Sequence, residues 1–147
     1  MLVRLLYASR AREPLPADVL DAIFDTSLTQ NPRHGITGVL CHSNSIFLQA
    51  LEGSREAVSR LYRNICQDAR HHDVTLLHYE EIAERTFSGW SMGRVNASKV
   101  NAATLLKYSA QGELDPLRMP GAASLALLKE LSAGASIVGR GQERGRG

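Results

Sequence analysis

Cysteine is scarce: two in 147 residues, Cys41 in an apolar strand pattern and Cys66 in a helical one. That pair makes neither a disulfide framework nor a thiolate metal cluster. Long apolar runs are missing too, and a membrane-spanning helix needs about 20 such residues. Met1-Leu2-Val3-Arg4 opens as a strand rather than as a charged-then-apolar leader, so the expectation is a cytoplasmic protein with no membrane partner. Charge of one sign is not in excess either. Seventeen basic against fifteen acidic residues leave a net +2, which gives no support to a nucleic-acid partner. Part of the basic surplus, Arg140, Arg144 and Arg146, falls in a segment that reads as a flexible tail. The adjacent Cys41 and His42 would point to opposite faces of a strand, which excludes a nucleophile–base dyad. His71-His72-Asp73 has neither strand nor helix spacing for a metal and reads as surface, so no metal site is expected.

What is present is a 44% hydrophobic, 22% charged chain of a length suited to one globular domain with a substantial core. Leu2 to Ala8 alternates as a strand, with Val3, Leu5 and Tyr7 on one face and Arg4 on the other. A helix follows from Ala17 to Asn31, with Asp18 and Asp21 near its positive end. Leu20, Ile23, Phe24, Ser27, Leu28 and Asn31 recur at helical spacing, and Pro32 places Asn31 at the helix end by disfavouring helical geometry there. After Ser54 as N-cap, Ala57, Val58, Leu61, Tyr62, Ile65 and Cys66 form an amphipathic stripe to about Ala69. Val74 to Ala83 and Trp90 to Val95 read as further strands, and weaker helices follow near Ala102–Ser109 and Ala122–Ala133. The resulting order is the split βαβ pattern of an α+β, ferredoxin-like sandwich. It implies a five-stranded mixed sheet with two helices on one face and the C-terminal helices on the other.

Between the two main helices runs Ile36 to Gly53, two apolar strands joined at Ser43-Asn44. Phe47, Gln49 and Leu51 share one face of the second strand; Ile46, Leu48 and Ala50 share the other. Both faces being apolar, the strand belongs inside a sheet covered on two sides. Gln49 then carries an amide into a place where an unpaired polar group is costly. The first and third strands of this pattern are neighbours, so the Tyr7 phenol can meet that amide. Asn31 ends the helix that covers the same face. From these residues alone, a core glutamine satisfying a buried tyrosine is the simpler reading. Three convergent neutral polar groups also suit a flat heterocycle with alternating donors and acceptors.

Leu2-Val3-Arg4-Leu5-Leu6-Tyr7-Ala8-Ser9, Asn31 with Gly35-Ile36-Thr37-Gly38, Phe47-Leu48-Gln49-Ala50-Leu51-Glu52-Gly53, Asp68-Ala69-Arg70-His71 and Trp90-Ser91-Met92-Gly93 resemble, in order, the motifs of BLUF domains, sensors of blue light that use FAD. The resemblance implies a flavin domain over residues 1–96, a packed helical extension over 97–134 and a flexible tail over 135–147. It implies FAD as cofactor, a downstream protein partner and no substrate turnover. Separately, an amphipathic sheet or the two late helices could pair, so a homo-oligomer is expected. Tyr7 matches the tyrosine that gives an electron and a proton to the excited flavin. Gln49 matches the glutamine between that tyrosine and the ring, and Asn31 the asparagine on the pyrimidine edge. Ser27, Ile23 and Phe24 would line the ring from the first helix. Ile65, Asp68, Arg70 and His71 would line it from the second helix end, on the ribityl-phosphate side. Trp90 and Met92 share parity on their strand and match the pair that competes for the place beside the glutamine. The pattern departs at Pro32, where many members carry a second polar residue. A light-independent ferredoxin-like interaction or ligand module is the alternative reading.

Overall fold

In β1 (Leu2–Ala11), Val3, Leu5 and Tyr7 alternate with Arg4, Leu6 and Ala8, and all six are buried. A strand buried on both faces needs cover on both sides. The computed structural model describes residues 1–43 and 45–134, and the backbone of 138–140. β2 (Thr37–His42) and β3 (Ile46–Ser54) form the hairpin, closed where Ser43 donates its N–H to Ile46 O at 2.9 Å. Asn44 of the expected turn lies outside the described residues. β4 (His71–Ile82) and β5 (Trp90–Asn96) complete the expected five strands, in the order β4-β1-β3-β2-β5. Every pairing among these is antiparallel except that of β2 with β5, so the sheet is mixed.

Helices α1 (Ala17–Gln30) and α2 (Arg55–Cys66) cover one face, over a core that includes Val3, Leu5, Phe24, Leu40, Leu51 and Met92. α3 (Ala102–Leu106) and α4 (Gly121–Ala133) send Leu105, Leu125, Leu127, Leu128 and Leu131 into the opposite core, against Leu6, Val39, Leu48 and Ala50. Gly121 lets α4 approach β4 closely: a Cβ there would stand 2.4 Å from Leu77 O.

Several boundaries differ from the sequence expectation. A short sixth strand, β6 (Val138–Arg140), pairs antiparallel with β5, so the segment read as a flexible tail contributes to the sheet; residues 135–137 and 141–147 lie outside the described residues. Pro32 does not force Asn31 out of helical geometry. α1 ends at Gln30, and Asn31 (φ −59°, ψ −43°) begins a 3-10 turn, Asn31–His34. At the start of a new turn the missing proline N–H would have had no partner in any case. α2 stops at Cys66, and β4 begins at His71 rather than Val74, so the His71-His72-Asp73 run is strand, and His71 is buried rather than surface. Asp73 takes φ +54° where β4 pairs irregularly with β1.

At one end of the sheet an ion cluster fixes the loop that leads into β5. The Glu52 carboxylate, fully buried, accepts from Arg4 Nε (2.8 Å), Thr86 N (3.0 Å) and Phe87 N (2.7 Å). Arg4 also donates to Glu80 (3.0 Å) and Thr86 Oγ1 (2.5 Å). From the same loop, Arg85 reaches Gly35 O at 2.7 Å and Thr37 Oγ1 at 2.9 Å.

Candidate functional site

Tyr7 and Gln49 stand directly opposite each other in the β1–β3 register. The Tyr7 hydroxyl donates to Gln49 Oε1 at 2.5 Å, and Gln49 Nε2 donates to Met92 Sδ at 3.2 Å. All three side chains are buried. A thioether is a weak acceptor, so the amide is held firmly on its oxygen side and loosely on its nitrogen side. Gly38 makes room for this chain: a Cβ on it would lie 2.1 Å from Ala50 O and 3.3 Å from Met92 Cε.

Burial pushes the Tyr7 phenol well above its ordinary pKa of 10.0, and the neighbouring Tyr62, Cys66 and Asp68 push the same way. The Tyr62 ring lies 5.7 Å from that of Tyr7, and its own phenol is raised to about 12, chiefly by burial. Above pH 10 the unfolded chain therefore releases a Tyr7 proton that the folded chain keeps, and stability falls as pH rises from there. In an alkaline absorbance titration, Tyr7, one of four tyrosines, should ionise only with unfolding. A full set of phenolates in a still-folded protein would contradict this.

A cavity of about 320 Å³ opens between α1 and α2 over this pair. Of the residues expected there, Tyr7, Gln49, Asn31, Ser27, Ile23, Ile65, Asp68, Arg70 and His71 all line it. The Asn31 side chain is buried and donates to Ser91 O at 2.9 Å, which ties the end of α1 to β5. Ser27 turns its hydroxyl to Ile23 O within α1. His71 is gripped on both ring nitrogens, by Ser9 Oγ at 2.8 Å and by Ile65 O at 2.5 Å. A carbonyl only accepts, so Nε2 carries the hydrogen, and in the neutral ring Nδ1 accepts from Ser9. Arg70 is paired with Asp68 through both carboxylate oxygens, which holds the Asp68 carboxyl below its usual range.

Two expected residues lie elsewhere. Phe24 is buried in the core under α1, with the Arg94 guanidinium 4.5 Å from its ring centroid and His42 on another side. Trp90 does not share a face with Met92: it packs in the opposite core, with Phe87, Val95 and Ala97. Strict alternation fails because β5 is irregular here: its register with β6 shifts between Trp90 and Arg94, and its ladder with β2 starts only at Gly93. Thr26 and Asn64 are polar lining residues the sequence reading missed. Asn64 could have been found as the polar neighbour of Ile65, three positions after Leu61 on the edge of the apolar stripe.

The lining fits an isoalloxazine. Ile23, Leu40, Phe47, Leu61 and Ile65 supply apolar walls, and the amides of Gln49, Asn31 and Asn64 supply polar points at its margins. The volume lies within the roughly 300–1,000 Å³ common for small-ligand sites. No helix among the described residues is long and apolar enough to cross a membrane.

Known proteins share this fold. The family model for BLUF, sensors of blue-light using FAD, matches residues 2–93. Over 92 residues the chain is 42% identical to the photoactivated adenylate cyclase subunit beta of Euglena gracilis, which covers 62% of this chain but only 11% of that protein. Among solved structures, the photo-activated state of BlsA superposes with a TM-score of 0.79 at 30% identity, covering 92% of this chain and 98% of that one. The dark-state structure of BlrB, a BLUF protein, gives 0.76 at 33% identity, covering 90% and 96%. With a family match over residues 2–93 and these neighbours, the chain belongs to the BLUF family, the sensors of blue light that use FAD.

Proposed function

We propose that this chain binds FAD non-covalently between α1 and α2, and that Tyr7 and Gln49 carry its light response to a protein partner without turning over a substrate. The observation that carries this reading is the buried chain from Tyr7 Oη through the Gln49 amide to Met92 Sδ, whose Tyr7 and Gln49 line a cavity that fits a flavin ring. When bound, the flavin supplies absorption of blue light and an excited state that accepts an electron. Tyr7 gives up that electron together with its phenolic proton. Its burial disfavours a charged phenol, so the two leave as a pair. Gln49 is uncharged yet both donates and accepts, so its amide exchanges partners without creating a buried ion; an ionised glutamate could only accept.

Magnitudes separate the trigger from the outcome. One hydrogen bond contributes a net of about 0.5–1.5 kcal/mol, while a near-complete two-state switch needs about 5.5 kcal/mol. Light therefore drives the rearrangement, and a barrier to reversal holds it. Met92 is the partner Gln49 exchanges, and its strand β5 carries the change towards the sheet edge. In this reading residues 1–96 form the flavin domain, 97–134 a packed extension, and the protein is a cytoplasmic homo-oligomer. A light-minus-dark absorption spectrum of the purified protein tests the core of it. The expected result is a yellow protein with a reversible red shift of the flavin bands under blue light. A colourless protein that takes up no added flavin would leave Tyr7 and Gln49 as a core pair that merely satisfies itself.

A further inference from the structure

The sheet, in the order β4-β1-β3-β2-β5-β6, is protected differently at its two ends. β4 carries Asp73, Glu80 and Glu81, takes φ +54° at Asp73 and pairs irregularly with β1. Charge and irregular backbone of that kind keep an edge from accepting another strand. β5 has no such defence. Its one charged residue is Arg94, and that guanidinium is turned onto α1, where it meets Asp21 at 2.6 Å and the Phe24 ring. What covers the edge of β5 is β6.

That cover is slight. β6 has three residues, Val138–Arg140, with a glycine at its centre, and glycine weakens a strand. Trp90 is paired with Arg140 and Arg94 with Val138, so the register shifts between them and five residues of β5 face three of β6. Ordering three residues costs on the scale of what so few ladder hydrogen bonds return. β6 therefore belongs to the low-stability end of the fold, where local opening is easiest. Met92 lies midway along the stretch that β6 grips, and its Sδ accepts from Gln49 Nε2. β6 also lies outside residues 2–93, so it is not part of the matched family domain.

From these observations we propose that the edge of β5 is a docking site for an extended segment of a partner protein, which adds antiparallel in the place that β6 holds in cis. The resident strand shows what fits there: a short, extended segment without an acidic residue. Main-chain hydrogen bonds give strand addition its affinity, so the partner needs little more than a segment free to extend. The change at Met92 drives the release of β6. That half of the inference rests on the photoreceptor reading; the docking edge itself does not.

The test titrates a synthetic peptide of residues 135–142, with a red-absorbing label that leaves the flavin unexcited, against the full-length flavin-loaded protein, and reads anisotropy. A full-length variant with Val138→Pro, Gly139→Pro and Arg140→Pro has no N–H left in β6 to donate. In the dark it should bind the peptide about tenfold more tightly than the parent, in which β6 covers the edge roughly nine-tenths of the time. A tether holds β6 at a roughly millimolar effective concentration, so the Kd of the variant should be about 0.1 mM. Under blue light the parent should approach the variant, and its amides at 138–140 should exchange hydrogen faster than in the dark. No binding to the variant at about 1 mM, equal binding to parent and variant, or amides at 138–140 as protected in the dark parent as those of β3 would each overturn the docking edge. Self-association of the variant but not of the parent would assign the edge to a second copy and reject a partner strand. Unchanged exchange at 138–140 in a parent whose flavin bands do shift would overturn the release by light and leave the photoreceptor reading in place. A parent with no shift would overturn that reading and the release with it, while the dark titration still decides the edge.

Discussion

Tyr7→Phe and Gln49→Leu should each keep flavin bound and lose the light-induced red shift. Phenylalanine preserves the ring that packs against Tyr62 but deletes the hydroxyl that meets Gln49 Oε1. It leaves no phenolic proton to travel with the electron. Leucine at position 49 nearly preserves the volume between β1 and β5 and deletes both ends of the amide, so nothing remains to exchange partners. Neither change touches the apolar walls from Ile23, Leu40, Leu61 and Ile65, which is why the flavin should stay. Stability should respond unequally. In Gln49→Leu the buried Tyr7 hydroxyl loses its acceptor, a cost of about 1–3 kcal/mol, whereas Tyr7→Phe leaves only an amide oxygen without a donor. The shift is read from light-minus-dark spectra and the stability from thermal unfolding in the dark. An unaltered photocycle in either variant would remove that residue from the proposed mechanism.

Glu52→Leu should destabilise the fold by about 3–5 kcal/mol, the cost of removing one member of a buried ion pair. The carboxylate is the common acceptor for Arg4 and for two consecutive backbone N–H groups, Thr86 and Phe87. Leucine would leave a buried guanidinium with only Glu80 and Thr86 to meet it, and would strand two amide donors. In a domain of this size the midpoint of thermal unfolding should drop by about 6–20 °C. Glu52→Gln, which keeps one acceptor oxygen, should fall between the two. Trp90 is the chain's single tryptophan and begins β5 just beyond this loop, so its native-state fluorescence should report the loosening. A Glu52→Leu protein that melts like the parent would show that the cluster contributes little to holding the loop.

The strand and helix order, the two-sided burial of β3, and the pairing of Tyr7 with Gln49 were all legible in the sequence. Each follows from a short-range rule: alternation at period two fixes the face of a residue within a strand, and the split βαβ order makes the first and third strands neighbours. Local pattern also placed Asn31, Ile23, Ser27 and Ile65 on the helix faces that line the cavity. It could not say that Trp90 would leave the face of Met92, because parity holds inside a regular ladder and the register of β5 with β6 shifts between Trp90 and Arg94. Nor could it bury His71 or turn Phe24 into core, since both depend on which distant groups arrive: Ser9 and Ile65 O for one, His42 and Arg94 for the other. The cluster on Glu52 joins residues up to 82 positions apart. Sequence alone determined which faces exist; tertiary packing decided which polar groups are already occupied, because satisfying a buried donor or acceptor is a property of its neighbours in space.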